Sequence, residues 1–209
     1  MASAHPTFKK EAALFTQGFS FIAGIDEAGR GAWAGPVVAA AVIFPPSDPE
    51  LSAALAPIRD SKQLTANQRE KIFPLVQQYA LAVGVGVASP NLIDRSNIIA
   101  ATRFAMRRAV EKLSPRPQFL LIDALRLPTI DIPQDAFFKA ESVSLSVAAA
   151  SIVAKVTRDR LMVLLAEKYP QYGFERHKGY GTKLHRQNLA RFGACRIHRF
   201  SFSPIKNLA

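Results

Sequence analysis

Between residues 24 and 31 the chain reads GIDEAGRG, where an apolar run delivers two adjacent carboxylates, Asp26 and Glu27, into an arginine bracketed by glycines. Acid chemistry and a tight backbone turn meet there. The run before them, Phe19 to Ile25, alternates too little for an exposed strand, so the acids are expected at the exit of a buried one. Successive strand side chains face opposite ways, and both acids can serve one site only if the strand ends or twists at that point. Gly29 supplies that freedom. Gly29 and Gly31 also lack Cβ atoms on either side of Arg30, which lets backbone N–H groups come close to a ligand.

The same pattern recurs downstream. Asp123 follows the apolar run Phe119 to Ile122, and Glu141 follows Ala136 to Phe138, so each reads as an acid at a strand edge. Thr65 and Gln68 form a capping box that opens a helix just after Asp60, Ser61 and Lys62. The hydroxyl of Ser61, the ammonium of Lys62 and the free N–H groups of that helix start make a phosphate cradle. Carboxylates gathered in this way, with no nucleophilic Cys or Ser constellation, point to hard divalent ions acting on phosphate. Two Mg²⁺ or Mn²⁺ ions about 3.5 to 4 Å apart would activate water and stabilise the leaving oxygen.

The positioning elements are an α/β set. Pro36 to Phe44 reads as a second buried strand returning antiparallel beside the first, and Leu81 to Ala88 as a third whose glycines permit close packing. Trp33, in the first connection, reads as a packing residue. Pro74 should kink the helix that Thr65 caps. Asn97 caps a helix to about Leu113, with an apolar stripe through Ala105, Met106 and Ala109 and a solvated face of Arg103, Arg107, Arg108 and Lys112. Strand, helix, strand in this order implies a parallel crossover onto Phe119 to Ile122. From Ser144 a long helix begins in which Ala148, Ala149 and Ala150 allow close approach to the sheet, and Pro170 and Gly173 stop it. His177, His185 and His198 lack zinc-ligand spacing with cysteines and read as surface groups.

The 209 residues are 49% apolar and 21% charged, which suits one domain spanning 1–209. Charge is unevenly spread. Residues 1 to 150 carry 15 Lys+Arg against 13 Asp+Glu, and residues 151 to 209 carry 12 against 3, so the last part supplies +9 of the +11. A polyanion partner for the basic region, about 170–209, follows. Cys195 is the only cysteine, which excludes an internal disulfide and fits a reducing cytoplasm. The longest apolar run, Pro36 to Pro46, is far short of the roughly 20 residues of a membrane helix, so no membrane is expected.

The stretches GIDEAGRG, RDSKQL, LIDAL, AAASIVAKVTRDR and QYGFERHKGYGT resemble ribonuclease HII, in the same order, from about residue 20 to the C-terminus. The resemblance implies a ribonuclease H-like mixed five-stranded sheet flanked by helices, with a helical basic C-terminal region. It implies endonucleolytic cleavage of the RNA strand of RNA–DNA hybrids and of single ribonucleotides embedded in duplex DNA, by a monomer using Mg²⁺ or Mn²⁺. Asp26, Glu27 and Asp123 match the family's metal carboxylates. Where the family usually has Lys-Gly-Asp before the long helix this chain has KAE, so Glu141 is the matched fourth position. Asp159 is its rival, although Lys155, four residues earlier, explains it as a surface ion pair. Gly29, Arg30 and Gly31 match the turn that reads a ribose 2′-OH, and Tyr180 matches the aromatic that packs on the next, deoxy sugar. Together these select an RNA–DNA junction. Two other readings are a ribonuclease HIII-like enzyme without its N-terminal domain and a non-catalytic hybrid-binding module. Against the second, clustered carboxylates repel phosphate unless metals neutralise them.

Overall fold

A computed structural model of the chain describes residues 5–46 and 49–207. The outermost residues of the expected 1–209 span therefore lie outside the described ones. The apolar runs form β1 (Ile22–Ala28), β2 (Val37–Ile43), β3 (Ala82–Ala88), β4 (Phe119–Asp123) and β5 (Gln134–Phe137), in one sheet ordered β3-β2-β1-β4-β5. β1 with β2 and β2 with β3 are antiparallel, whereas β4 lies parallel to β1 and β5 parallel to β4. This is the mixed sheet that the sequence led us to expect.

The helices, in chain order, are α1 (Lys9–Phe15), α2 (Pro49–Ala54), α3 (Ala66–Tyr79), α4 (Pro90–Ser96), α5 (Ile98–Val110), α6 (Leu145–Lys168), α7 (Phe174–His177) and α8 (Lys183–Phe192). Alternation along β2 sorts the core. Ala39, Ala41 and Ile43 pack with Ala105, Met106 and Ala109 of α5, while Ala40 and Val42 pack with α3 and with Ala148 to Ala150 of α6. Each fully buried Leu, Ile or Met here, such as Met106, Leu120 or Ile122, contributes about 1.5–3 kcal/mol. Gly86 of β3 is what lets α5 lie close, since a Cβ there would come within 1.9 Å of the Ala105 carbonyl oxygen. Both predicted caps are present: Thr65 and Gln68 close the capping box, and Asn97 accepts the N–H of Ala100. Pro74 lies within α3.

Three expectations need correction. β1 begins at Ile22 and runs through Ala28, so Asp26 and Glu27 stand inside the strand, paired with Ala40 and Ala39. The reason is β2, whose seven buried residues keep offering ladder partners beneath the acids. Glu141 is not strand-borne: β5 ends at Phe137, Lys139 adopts a left-handed φ of 60°, and Glu141 falls in a 3₁₀ turn, Ala140–Ser142, that leads into α6. The N–H of Ala140 donates to Asp123 Oδ1 at 3.1 Å, which draws this turn over the end of β4. The histidines at 177, 185 and 198 are not surface groups but are 8%, 0% and 0% exposed, inside an aromatic cluster with Tyr172 and Phe174. Backbone groups partner four of their six ring nitrogens, and His185 Nε2 and His198 Nε2 partner each other, so neutral rings can be buried there.

The N-terminal helix has a structural carboxylate that sequence reading missed. Glu11, 2% exposed, accepts from the Ser146 N–H and from the Ser144 and Ser146 hydroxyls at the start of α6. A negative charge at a helix N-terminus is favourable, and α1 is thereby tied to α6. Among the described residues no helix is long and apolar enough to cross a membrane.

Candidate active site

Parallel pairing sets Ile25 opposite Ile122, and both side chains face the α5 core. One step further along each strand stand Asp26 and Asp123, which by alternation share the opposite face, under the start of α6. Glu27 points the other way, but β1 stops one residue later and the chain turns at Gly29. Both acids consequently line one cleft of about 340 Å³, with Arg30, Lys62, Asp123 and Tyr180 as further walls and Gly29 and Ser61 at its edge. Glu141 reaches in from the 3₁₀ turn, its Oε1 3.2 Å from Lys62 Nζ. Of the predicted site residues Glu141 and Gly31 do not line this cleft: Glu141 meets it through Lys62, and Gly31 is exposed, with open space where a Cβ would stand.

The cluster carries uncompensated negative charge. Burial raises the Asp26 carboxyl well above the usual range, and the charges of Glu27, Asp123 and Glu141 push it further, against one N–H from Glu27 at 2.6 Å. Burial also raises Glu27, despite the Arg30 guanidinium 3.0 Å away. Asp123 is raised by burial and by Glu141, with the Ala140 N–H and Lys62 opposing. Burial acts to lower the Lys62 ammonium, but its bond to Glu141 and the surrounding acids win and raise it. Within the cluster two carboxylate oxygens, Glu27 Oε2 and Glu141 Oε2, are buried with no hydrogen-bond partner among the described residues, as is Glu11 Oε2 away from it. Leaving such an atom unmade costs about 1–3 kcal/mol or more when it is charged.

As the side chains stand, no three His, Cys, Asp or Glu groups among the described residues converge tightly enough to enclose a metal ion. Arg30 and Lys62 hold Glu27 and Glu141 instead. The donor chemistry nonetheless fits a hard divalent cation: every donor is a carboxylate oxygen, two are orphaned, and the group repels itself without added positive charge. Asp159 is elsewhere. Its Oδ1 lies 2.8 Å from Lys155 Nζ, as the spacing predicted, and it lines a neighbouring cleft of about 690 Å³ that shares Arg69, Lys155 and Tyr180 with the first.

Arginines with little exposure brace this site, Arg69 along its lining and Arg158 behind it, and nothing in the sequence marked them as buried. Gly29 has a φ of 95°, and a Cβ there would lie 1.9 Å from Arg158 Nε. Its missing side chain therefore makes room for Arg158 rather than for a ligand. Arg158, wholly buried in α6, donates to the carbonyls of Pro36 and Ala34, and its guanidinium carbon sits 5.2 Å from the Tyr180 ring centroid. Arg69 donates to the Ser61 carbonyl at 2.8 Å and so steadies the Ser61–Lys62 turn. Trp33 packs as expected, with His185 at 5.5 Å and Arg186 over its ring at 5.6 Å.

A mixed five-stranded sheet flanked by helices, with acids gathered at the ends of β1 and β4, defines the metal-dependent nuclease class with a ribonuclease H-like fold. The family model for ribonuclease HII matches residues 23–205. The chain belongs to the ribonuclease HII family, and it is a ribonuclease H endonuclease. It is 50% identical to the ribonuclease HII of Chloroflexus aggregans over 203 residues, covering 97% of this chain and 96% of that one. Among solved structures it is similar to ribonuclease H2 from Pyrococcus horikoshii, with a TM-score of 0.75 at 28% identity, covering 90% of this chain and 96% of that one. Similarity to Bst-RNase HIII, solved in complex with Mn²⁺, extends to the fold alone, with a TM-score of 0.68 at 23% identity over 90% of this chain and 69% of that protein. The HIII-like reading and the non-catalytic module both give way to this assignment.

Proposed function

We propose that the chain cleaves the RNA strand of RNA–DNA hybrids and the single ribonucleotide embedded in duplex DNA, with Asp26, Glu27, Asp123 and Glu141 holding Mg²⁺ or Mn²⁺. The observation that carries this is the pair of orphaned, buried oxygens on Glu27 and Glu141 inside a cluster of self-repelling acids. Divalent cations held by these four acids would supply positive charge to phosphate oxygens and lower the pKa of a bound water.

The chain's own residues do the rest. Lys62, with 76% of its side chain exposed, can turn from Glu141 to a phosphate oxygen without disturbing the core, and the Ser61 hydroxyl stands beside it. Arg30, 36% exposed, is placed to leave Glu27 in the same way. The 29–31 backbone contacts a ribose 2′-OH, and the Tyr180 ring packs against the following deoxyribose. On this reading the chain acts as one catalytic domain and as a monomer, with the basic region 170–209 lying against the nucleic acid.

A duplex with one embedded ribonucleotide tests the reading directly. Cleavage should require Mg²⁺ or Mn²⁺ and leave a 5′-phosphate and a 3′-hydroxyl. Undiminished cleavage in a chelator, or a 2′,3′-cyclic phosphate end, defeats it.

A further inference from the structure

The proposed readers of the junction, the 29–31 turn and Tyr180, come from opposite ends of the chain, and neither fixes its own position. Between them lies the dipeptide His198–Arg199, both residues 0% exposed. The Arg199 guanidinium donates to three carbonyls: Nη1 to Arg30 at 2.8 Å, Nη2 to Gly29 at 2.7 Å, and Nε and Nη2 to Gly35 at 3.0 and 2.9 Å. No ion pair among the described residues includes it. Burial pushes this guanidinium down to about 9. A buried cation is a costly way to fill space, and an apolar side chain would do it with less penalty. What Arg adds is a rigid fork that holds several acceptors in one geometry.

His198 reaches the other reader. Its Nε2 lies 3.1 Å from His185 Nε2, and His185 Nδ1 lies 3.0 Å from the Tyr180 carbonyl oxygen. A carbonyl only accepts, so the proton of neutral His185 is assigned to Nδ1, its Nε2 accepts, and His198 Nε2 donates. His198 Nδ1 then accepts the Cys195 N–H at 2.9 Å. His177 completes the clamp, accepting the Gly179 N–H at Nδ1 and donating from Nε2 to the Tyr172 carbonyl. With this assignment the ring nitrogens end on the backbone of Tyr172, Gly179, Tyr180 and Cys195 or on another ring of the chain, His198 Nδ1 also lying 3.2 Å from the Cys195 Sγ and from its carbonyl oxygen. The main chain closes the loop, since the Arg199 N–H donates to the Trp33 carbonyl and the Trp33 N–H to the Gly179 carbonyl.

We infer that His198 and Arg199 are positioning residues for substrate choice: Arg199 frames the 29–31 turn, His198 fixes Tyr180 through His185, and their adjacency sets the distance between the two. The inference rests on the proposed roles of that turn and of Tyr180. A double-mutant cycle tests it, with kcat/KM measured on a lone-ribonucleotide duplex and on a continuous hybrid for wild type, His198→Phe, His198→Gln, Tyr180→Ala and the Tyr180→Ala/His198→Phe pair. Phe keeps the ring packed on Tyr172 and Phe174 but cannot donate. His198→Phe should lower the lone-ribonucleotide to hybrid ratio about tenfold, the size of one well-placed hydrogen bond, with the metal requirement unchanged. Gln, which can still donate to His185, should restore most of it, and in the Tyr180→Ala background the His198→Phe loss should shrink below about twofold. A loss of equal size in both backgrounds overturns the inference alone. An unchanged ratio in Tyr180→Ala overturns the reading of Tyr180 and the inference with it. Should His198→Phe not fold, Arg199→Lys serves: the affinity gap between the lone-ribonucleotide duplex and its all-DNA counterpart, measured without divalent cation, should narrow about tenfold. An undiminished gap overturns the role of Arg199.

Discussion

Lys62 Nζ lies 3.2 Å from Glu141 Oε1 although 79 residues separate them, and the second carboxylate oxygen of Glu141, which is 4% exposed, has no hydrogen-bond partner among the described residues. An ammonium thus stands where an acid cluster needs positive charge. Asp159, by contrast, is held by Lys155 at 2.8 Å and Arg69 at 3.8 Å.

These two environments make opposite forecasts. Glu141→Gln should slow cleavage by at least about tenfold and raise the Mg²⁺ or Mn²⁺ concentration for half-maximal rate. Asp159→Asn should mainly lower the melting temperature, by about 1–3 °C for a loss of up to about 1 kcal/mol. Titrating metal against rate for both variants decides, and exchanged phenotypes would give the fourth place to Asp159.

Asp26→Asn should stabilise the metal-free protein. The Asp26 carboxyl is raised in the fold, so the folded state binds its proton more tightly than the unfolded chain does. Stability therefore falls as pH rises from the ordinary carboxylate value through the raised one, and the full penalty is present only above that raised value. Asn removes the charge and keeps an oxygen for the Glu27 N–H. In a chelator its melting temperature should exceed that of wild type, by about 2–4 °C per kcal/mol recovered. Added Mn²⁺ should raise the wild-type value and not the variant's. A variant that melts lower in the chelator would count against a self-repelling cluster.

The buried histidines predict a loss of stability in acid. Burial lowers His185 and His198 to about 4, well under the ordinary 6.5, so between those values the unfolded chain binds protons that the fold does not. Their contribution is complete above about pH 6.5 and is lost as pH falls toward 4. Thermal melts across that range should show His198→Phe declining less steeply than wild type. Comparing the two cancels the carboxylates, which act in the opposite direction. Parallel curves would mean that His198 takes up a proton in the fold.

Salt dependence locates the polyanion. Arg176, exposed, lines the 690 Å³ cleft that continues from Tyr180, whereas Arg199 is buried and cannot meet a phosphate. Arg176→Ala should reduce the slope of log affinity against log salt by about 0.9, one phosphate contact. No change in slope would move the nucleic acid off this cleft.

Much of the scaffold was legible in the chain itself. Continuous apolar runs, the Thr65–Gln68 box, Asn97 and the alanine-rich start of the long helix are local signals, and local signals survive without knowledge of neighbours. The acids Asp26, Glu27 and Asp123 could be placed near strand ends for the same reason. The charge excess toward the C-terminus was equally plain, but which of those charges face water was not.

What only tertiary structure decided was pairing and burial. Whether Asp26 and Asp123 share a face depends on the β1–β4 register, which brings Ile25 opposite Ile122 and is set by contacts distant in sequence. Glu141 left the expected strand because the Ala140 N–H found Asp123. The three histidines read as surface groups and nothing marked Arg158 or Arg199 as buried, since a side chain's polarity says where it is cheapest to put it, not where partners await it. Three carbonyls turned inward at Gly29, Arg30 and Gly35 make Arg199 stable inside, and those carbonyls converge only once the sheet has formed.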